Sequence, residues 1–172
     1  MADGRILVGD NDGVYLLKLV GDVRVTLCIS ADGFITRLLS DPEFKAVTVD
    51  LTEARGMDST SLGILARLSI ETRKLHALRP TILVTNPDLE KLLRVSGFAE
   101  EFVVIRSAEP TAVEVSEIPR RANMDEAELR RRVIEAHRTL MSMNAENAAT
   151  FRDLVLALEE EEAQSTPMNR AG

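Results

Sequence analysis

At 172 residues, 45% of them apolar, the chain is long enough for one ordinary domain with a real core plus an extension. A net charge of −7, only 3% aromatic residues and no Trp argue against nucleic-acid binding, because the field repels phosphate and little is left for base stacking. Cys28 is the single cysteine, so no internal disulfide can form. No run approaches the ~18 apolar residues of a membrane span, and Met1-Ala2-Asp3-Gly4 has no basic or apolar leader character. The expectation is a cytoplasmic protein without membrane insertion.

In chain order, Arg5 to Val8 and Val14 to Val20 are β-rich runs joined by Gly9-Asp10-Asn11-Asp12-Gly13, which predicts a hairpin. After Gly21-Asp22-Val23, the residues Ile29, Phe34, Ile35, Leu38 and Leu39 recur at helical spacing and Asp41-Pro42 closes the segment, although Gly33 weakens it. Val47, Val49 and Leu51 alternate with Thr48 and Asp50, which predicts a buried strand over Ala46 to Leu51. A loop from Thr52 to Met57 is expected next, then a helix from Leu62 to about Leu75 with an apolar face of Leu62, Leu65, Ala66 and Leu68.

Thr81 to Thr85 predicts a fourth strand, and Asn86-Pro87-Asp88 starts a short helix carrying Leu89, Leu92, Leu93 and Val95, which Gly97 ends. Phe102 to Ile105 predicts a fifth strand. Strands alternating with helices imply parallel pairing, and the opening hairpin adds an antiparallel element. The reading divides the chain into an α/β domain over 1–106, a linker over 107–123 with Pro110 and Pro119, a helical extension over 124–164 and a disordered tail over 165–172. In the extension Leu129, Val133, Ala136, Leu140 and Met143 follow three-four spacing, and Phe151, Leu154, Val155 and Leu158 resume it. Asn144 is a plausible cap between two helices, and an antiparallel hairpin would let Arg130 to Arg132 meet Glu159 to Glu162. The acidic run sits at a helix C-terminus, where it opposes the dipole and predicts fraying.

The most informative stretch is Met57-Asp58-Ser59-Thr60-Ser61-Leu62-Gly63, at the junction of a buried strand, a loop and a helix. Four backbone N–H groups lack intrahelical partners at a helix start, and the dipole leaves partial positive charge there. Either Asp58 or Ser59 could cap the helix, and a phosphate on Ser59 would be welcome at the same place.

The order hairpin, helix, buried strand, Asp58-Ser59-Thr60, helix, strand, Asn86-Pro87, helix, Gly97-Phe98, strand resembles the STAS domain, with the nearest likeness to bacterial anti-sigma factor antagonists. That family carries D-S-[ST]-G-L-G at the start of a helix, where this chain has Asp58-Ser59-Thr60-Ser61-Leu62-Gly63, and Gly21-Asp22-Val23 is similar to its G-[ED]-[LV]. The likeness spans roughly Arg5 to Ile105. It implies a STAS-like mixed sheet with helices packed on it, followed here by an α-helical extension. It also implies a non-enzymatic switch in transcription control and signal transduction by partner switching. Ser59 would be the phosphorylated residue, with Thr60 the runner-up, and Asp58, Ser59, Thr60, Ser61 and Leu62 would contact the partner. Implied partners are an anti-sigma factor that is often also a serine kinase, and a PP2C-type phosphatase. Ser61 departs from the family Gly, which bears on partner identity and ease of phosphorylation.

No cofactor or metal site is expected. His76 and His137 are distant in sequence and lack companion ligands, and both are expected on helix surfaces. The glycine spacings fit no phosphate-binding loop, and no residue is assigned to activate Ser59 as a nucleophile. The extension either covers the domain or offers a second binding or dimer surface. The alternative function is a constitutive STAS scaffold or regulatory subunit of a membrane ATPase or transporter complex.

Overall fold

The computed structural model describes residues 4–107, 113–121 and 123–165. Strands β1 (Arg5–Asn11) and β2 (Val14–Val23) form the expected antiparallel hairpin, closed by Asp12 and Gly13 with φ of 49° and 85°. Positive φ at both turn residues gives a twist that matches the flanking strands. The strands run further toward the turn than the composition suggests, since Gly9, Asp10 and Asn11 stay in register with Leu16, Tyr15 and Val14.

The helical segment that follows is broken into α1 (Val25–Cys28), a 3₁₀ turn over Ile29–Ala31 and α2 (Asp32–Leu39). Strand β3 (Ala46–Asp50) comes next, and helix α3 (Ser59–His76) is longer than its apolar pattern alone marks. Between them the stretch expected as a loop contains strand β4 (Ala54–Met57), which pairs in parallel with the end of β2 at Gly21, Asp22 and Val23. Arg55 and Gly56 give it no β pattern, so its strand character comes from the waiting edge of β2 rather than from its own propensity. Strand β5 (Thr81–Leu83), helix α4 (Pro87–Val95), the short α5 (Phe98–Glu101) and strand β6 (Val103–Ile105) complete the alternation. Asn86 caps α4 by accepting from the Asp88 N–H at 2.9 Å, and Gly97 turns the chain with φ of 86°.

Within the stretch expected as a linker, Ser116–Ile118 forms β7, antiparallel to β1 through Ile6, Leu7 and Val8. The sheet order is β6-β5-β3-β2-β1-β7, parallel from β2 to β6 and antiparallel on either side of β1. The mixed α/β architecture with a parallel centre is the one expected from the sequence.

Helices α6 (Glu126–Met143) and α7 (Ala145–Ser165) follow as a helical hairpin. Asn144 separates them and accepts from the Asn147 N–H at 2.7 Å, as a cap does. Arg138 pairs with Glu159, and Arg130 lies 3.8 Å from Glu161, while Arg132 turns away to Asp32. The acidic run stays helical through Ser165 instead of fraying, with these cations offsetting its unfavourable position on the dipole. Residues 108–112 and 122 of the expected linker, and 166–172 of the expected tail, lie outside the described residues. The core is built from Leu17, Leu19, Val49 and Ile82 of the sheet, Ile35 and Leu38 of α2 and Leu65 and Leu68 of α3. Ala136 and Leu140 of α6 join the same cluster.

Candidate functional site

The site forms where β4 hands the chain to α3. Asp58 has extended backbone, φ −83° and ψ 168°, and is the N-cap of α3. Its two carboxylate oxygens divide their work: Oδ1 accepts from the Ser61 N–H at 2.8 Å, and Oδ2 accepts from the Val25 N–H at 2.7 Å. One carboxylate therefore serves the starts of both α3 and α1, where orphan N–H groups and the dipole favour negative charge.

With Asp58 capping, Ser59 is the first residue of α3 rather than its cap. The half-buried Ser59 hydroxyl instead lies 2.8 Å from Nε2 of His137, on α6. The other ring nitrogen, Nδ1, is 2.7 Å from the carbonyl oxygen of Val133. A carbonyl can only accept, so Nδ1 carries the proton; in the neutral ring Nε2 is then the acceptor and Ser59 donates to it. His137 is 1% exposed and packs edge-on to Phe151 at 5.1 Å.

The surface position expected for His137 is thus wrong. Val133, Ala136, His137 and Leu140 lie on one helical face, so the three-four spacing itself places His137 in the apolar stripe, and that was the available signal. His76, by contrast, is partly exposed, stacks on Phe44 at 4.2 Å and approaches the Leu39 carbonyl at 3.2 Å. The two histidines do not come together, and among the described residues no group of three or more His, Cys, Asp or Glu is placed to hold a metal.

The remaining residues of the motif are inward. Thr60, Ser61 and Leu62 are buried, so the start of α3 is less open than a free partner surface would be. Among the described residues the buried Ser61 hydroxyl has no hydrogen-bond partner, and it lies near the buried Cys28 thiol. Burial pushes that thiol up to about 12, with the Ser61 contact working the other way. Gly63 faces α6: a Cβ there would lie 2.3 Å from the Ala136 carbonyl oxygen and 2.7 Å from the Ala136 Cβ. Only a glycine lets the two helix backbones approach this closely. Arg132 extends the seam with a 2.6 Å ion pair to Asp32, which Arg67 also approaches at 3.5 Å. Burial raises the Asp32 carboxyl above its ordinary range, and the two arginines pull it back.

The model of the STAS domain family matches residues 6–113. The chain belongs to the STAS domain family. No curated protein matches it closely enough to count as a relative. Among solved structures, an anti-sigma factor antagonist from Mycobacterium paratuberculosis is similar, with a TM-score of 0.52 and 20% identity over 62% of this chain and 88% of that one. The Bacillus cell fate determinant SpoIIAA in its phosphorylated form is 15% identical, with a TM-score of 0.49 over 58% of this chain and 90% of that one. SpoIIAA in its unphosphorylated form is 16% identical, with a TM-score of 0.46 over 52% of this chain and 81% of that one. The first of these likenesses establishes a shared fold. Among the described residues no helix is long and apolar enough to cross a membrane.

Proposed function

We propose that this protein is a phosphorylation-switched anti-sigma factor antagonist acting in the cytoplasm. Unphosphorylated, it binds an anti-sigma factor that is also a serine kinase and so frees a sigma factor; phosphorylated on Ser59, it releases that partner until a PP2C-type phosphatase resets it. The observation that carries the reading is the division of labour at the start of α3. Asp58 does the capping, which leaves the Ser59 hydroxyl at a helix N-terminus without a capping role. A phosphoryl group there adds about −1.5 to −2 charge. The dipole tolerates it locally, while Asp58 meets new repulsion and a partner surface packed there would have to accommodate the added charge and bulk. Thr60, buried, is a poorer acceptor.

A pull-down from native cytoplasm with wild type, Ser59→Ala and Ser59→Asp, with phosphate mapped on the wild type, tests this. The expected result is an anti-sigma or kinase-like protein retained by the Ala variant and lost by the Asp variant, with phosphate on Ser59. Identical partners for all three, and no modification, would leave the constitutive scaffold or transporter-subunit reading in its place.

The Ser59 to His137 bond favours one further reading, Ser59 as a nucleophile with His137 as its base. Turnover of activated esters that vanishes in both Ser59→Ala and His137→Ala would establish it. The expected outcome is no turnover, because the bond lies at the packed seam of α3 and α6.

A further inference from the structure

The switch requires a reachable hydroxyl, yet the Ser59 hydroxyl is bonded to a residue of the C-terminal hairpin. That hairpin is an addition to a fold already complete without it. The STAS match ends at residue 113, the M. paratuberculosis structure is matched over 88% of its length by 62% of this chain, and α6 and α7 add no strand to the sheet. The hairpin packs on α3 by close backbone approach and by burying Ala136 and Leu140 in the core, and polar links tie it to α2 and to the end of α4. Gly63 meets Ala136, Arg132 reaches Asp32, and Asn147 donates from Nδ2 to the Ser96 carbonyl at 2.9 Å.

Phosphorylation changes the chemistry of the central link. A protein kinase transfers the terminal phosphoryl of a nucleoside triphosphate: the Oγ–P bond forms, the P–O bond to the diphosphate breaks, and the hydroxyl proton passes to the kinase's base. Oγ then has no proton to give, so the bond in which Ser59 donates to Nε2 is lost. A phosphoryl group would also bring its bulk against a side chain that is 1% exposed. Nor does the 2.8 Å between Oγ and Nε2 leave room for a phosphoryl group along that line.

We propose that the α6–α7 hairpin is a built-in cover for the switch. Docked, it holds Ser59 against His137 and occupies the α3 face that a protein partner needs, and a phosphoryl group on Ser59 and the docked hairpin exclude one another. The proposal rests on Ser59 being the switch residue. By linkage, whatever factor docking takes from partner binding, partner binding takes from docking. A protein partner that takes the hairpin's place on this seam has to bring a small residue to the spot where Ala136 now meets Gly63.

The test is hydrogen exchange by mass spectrometry on the full chain, comparing wild type with Gly63→Ala, Ala136→Leu and Ser59→Asp. Ala is a better helix former than Gly, so Gly63→Ala pries the seam without weakening α3 itself; Ala136→Leu pries it from the hairpin side. The expected result is exchange across 126–165 about tenfold faster in all three variants, with wild-type protection kept in β2, β3 and β5. Wild-type exchange of the hairpin in both seam variants would overturn the cover. So would loss of sheet protection together with the hairpin in both, since the hairpin would then be an inseparable part of one core. A hairpin that stays protected in Ser59→Asp while the seam variants open would overturn the mutual exclusion. None of these readings needs a kinase, so absence of phosphate on Ser59 in cells would sink the switch while leaving the exchange result standing.

Discussion

The sheet domain and the C-terminal hairpin hold their places by different means. In the sheet domain Leu17, Leu19, Leu65 and Ile82 are fully buried, and their burial is a large, non-directional contribution of ~1.5–3 kcal/mol for each side chain. The hairpin sends Ala136 and Leu140 into the same core, but α7 leaves Leu154 42% and Leu156 51% exposed, and the docking adds polar links at Arg132 and Asn147 and a close backbone approach at Gly63. Interactions of that second kind depend on geometry and are lost together when the geometry shifts. The difference teaches that one chain can combine a durable scaffold with an attachment whose seam joins a smaller apolar contact to a handful of directional ones.

The largest expected effect comes from breaking the durable side. Leu17→Ala removes a fully buried side chain from the central strand and should destabilise the protein by about 2–5 kcal/mol in urea denaturation, with sheet and hairpin signals falling together. Asp58→Ala removes caps from α1 and α3 at once and should cost about 2 kcal/mol in the same experiment, against about 1 for an ordinary single cap. A value of about 1 kcal/mol or less would mean that the second bond adds little.

Cys28 sharpens the comparison through pH. Its folded value is raised above the unfolded one, so the contribution is fully present below about pH 8.5 and is lost as pH rises toward 12, because the unfolded thiol ionises first. Stability should therefore fall by up to about 1.4 kcal/mol per pH unit above pH 9, a slope that Cys28→Ala should reduce. Iodoacetamide at pH 8 should label Cys28 only on unfolding. At the small end, Leu156→Lys on the exposed face of α7 should change stability by less than about 0.5 kcal/mol.

The parts of the fold legible in the sequence are those with a local cause. The hairpin turn at Asp12 and Gly13, the alternation in β3, the Asn86 and Asn144 caps and the three-four stripe of α6 each carry their own signal. β4 and β7 do not, because each becomes a strand only by joining an edge that the rest of the sheet provides. The site divides in the same way. A helix start at Asp58 and Ser59 is readable from residue types, whereas the partner of the Ser59 hydroxyl lies 78 residues further on and is set by the packing of α6 against α3. Gly63 stands in the motif, but the backbone approach it admits shows only once α6 is in view.

That separation along the chain also fixes an order of events at birth. Ribosomes add about 5–20 residues per second. Ser59 therefore leaves the ribosome some 4 to 16 seconds, in order of magnitude, before His137 does, and in that interval no cover exists. Each newly made molecule passes through a period in which its serine is open to solvent whatever the finished protein later allows, and a brief isotopic pulse would distinguish phosphate acquired then from phosphate acquired afterwards.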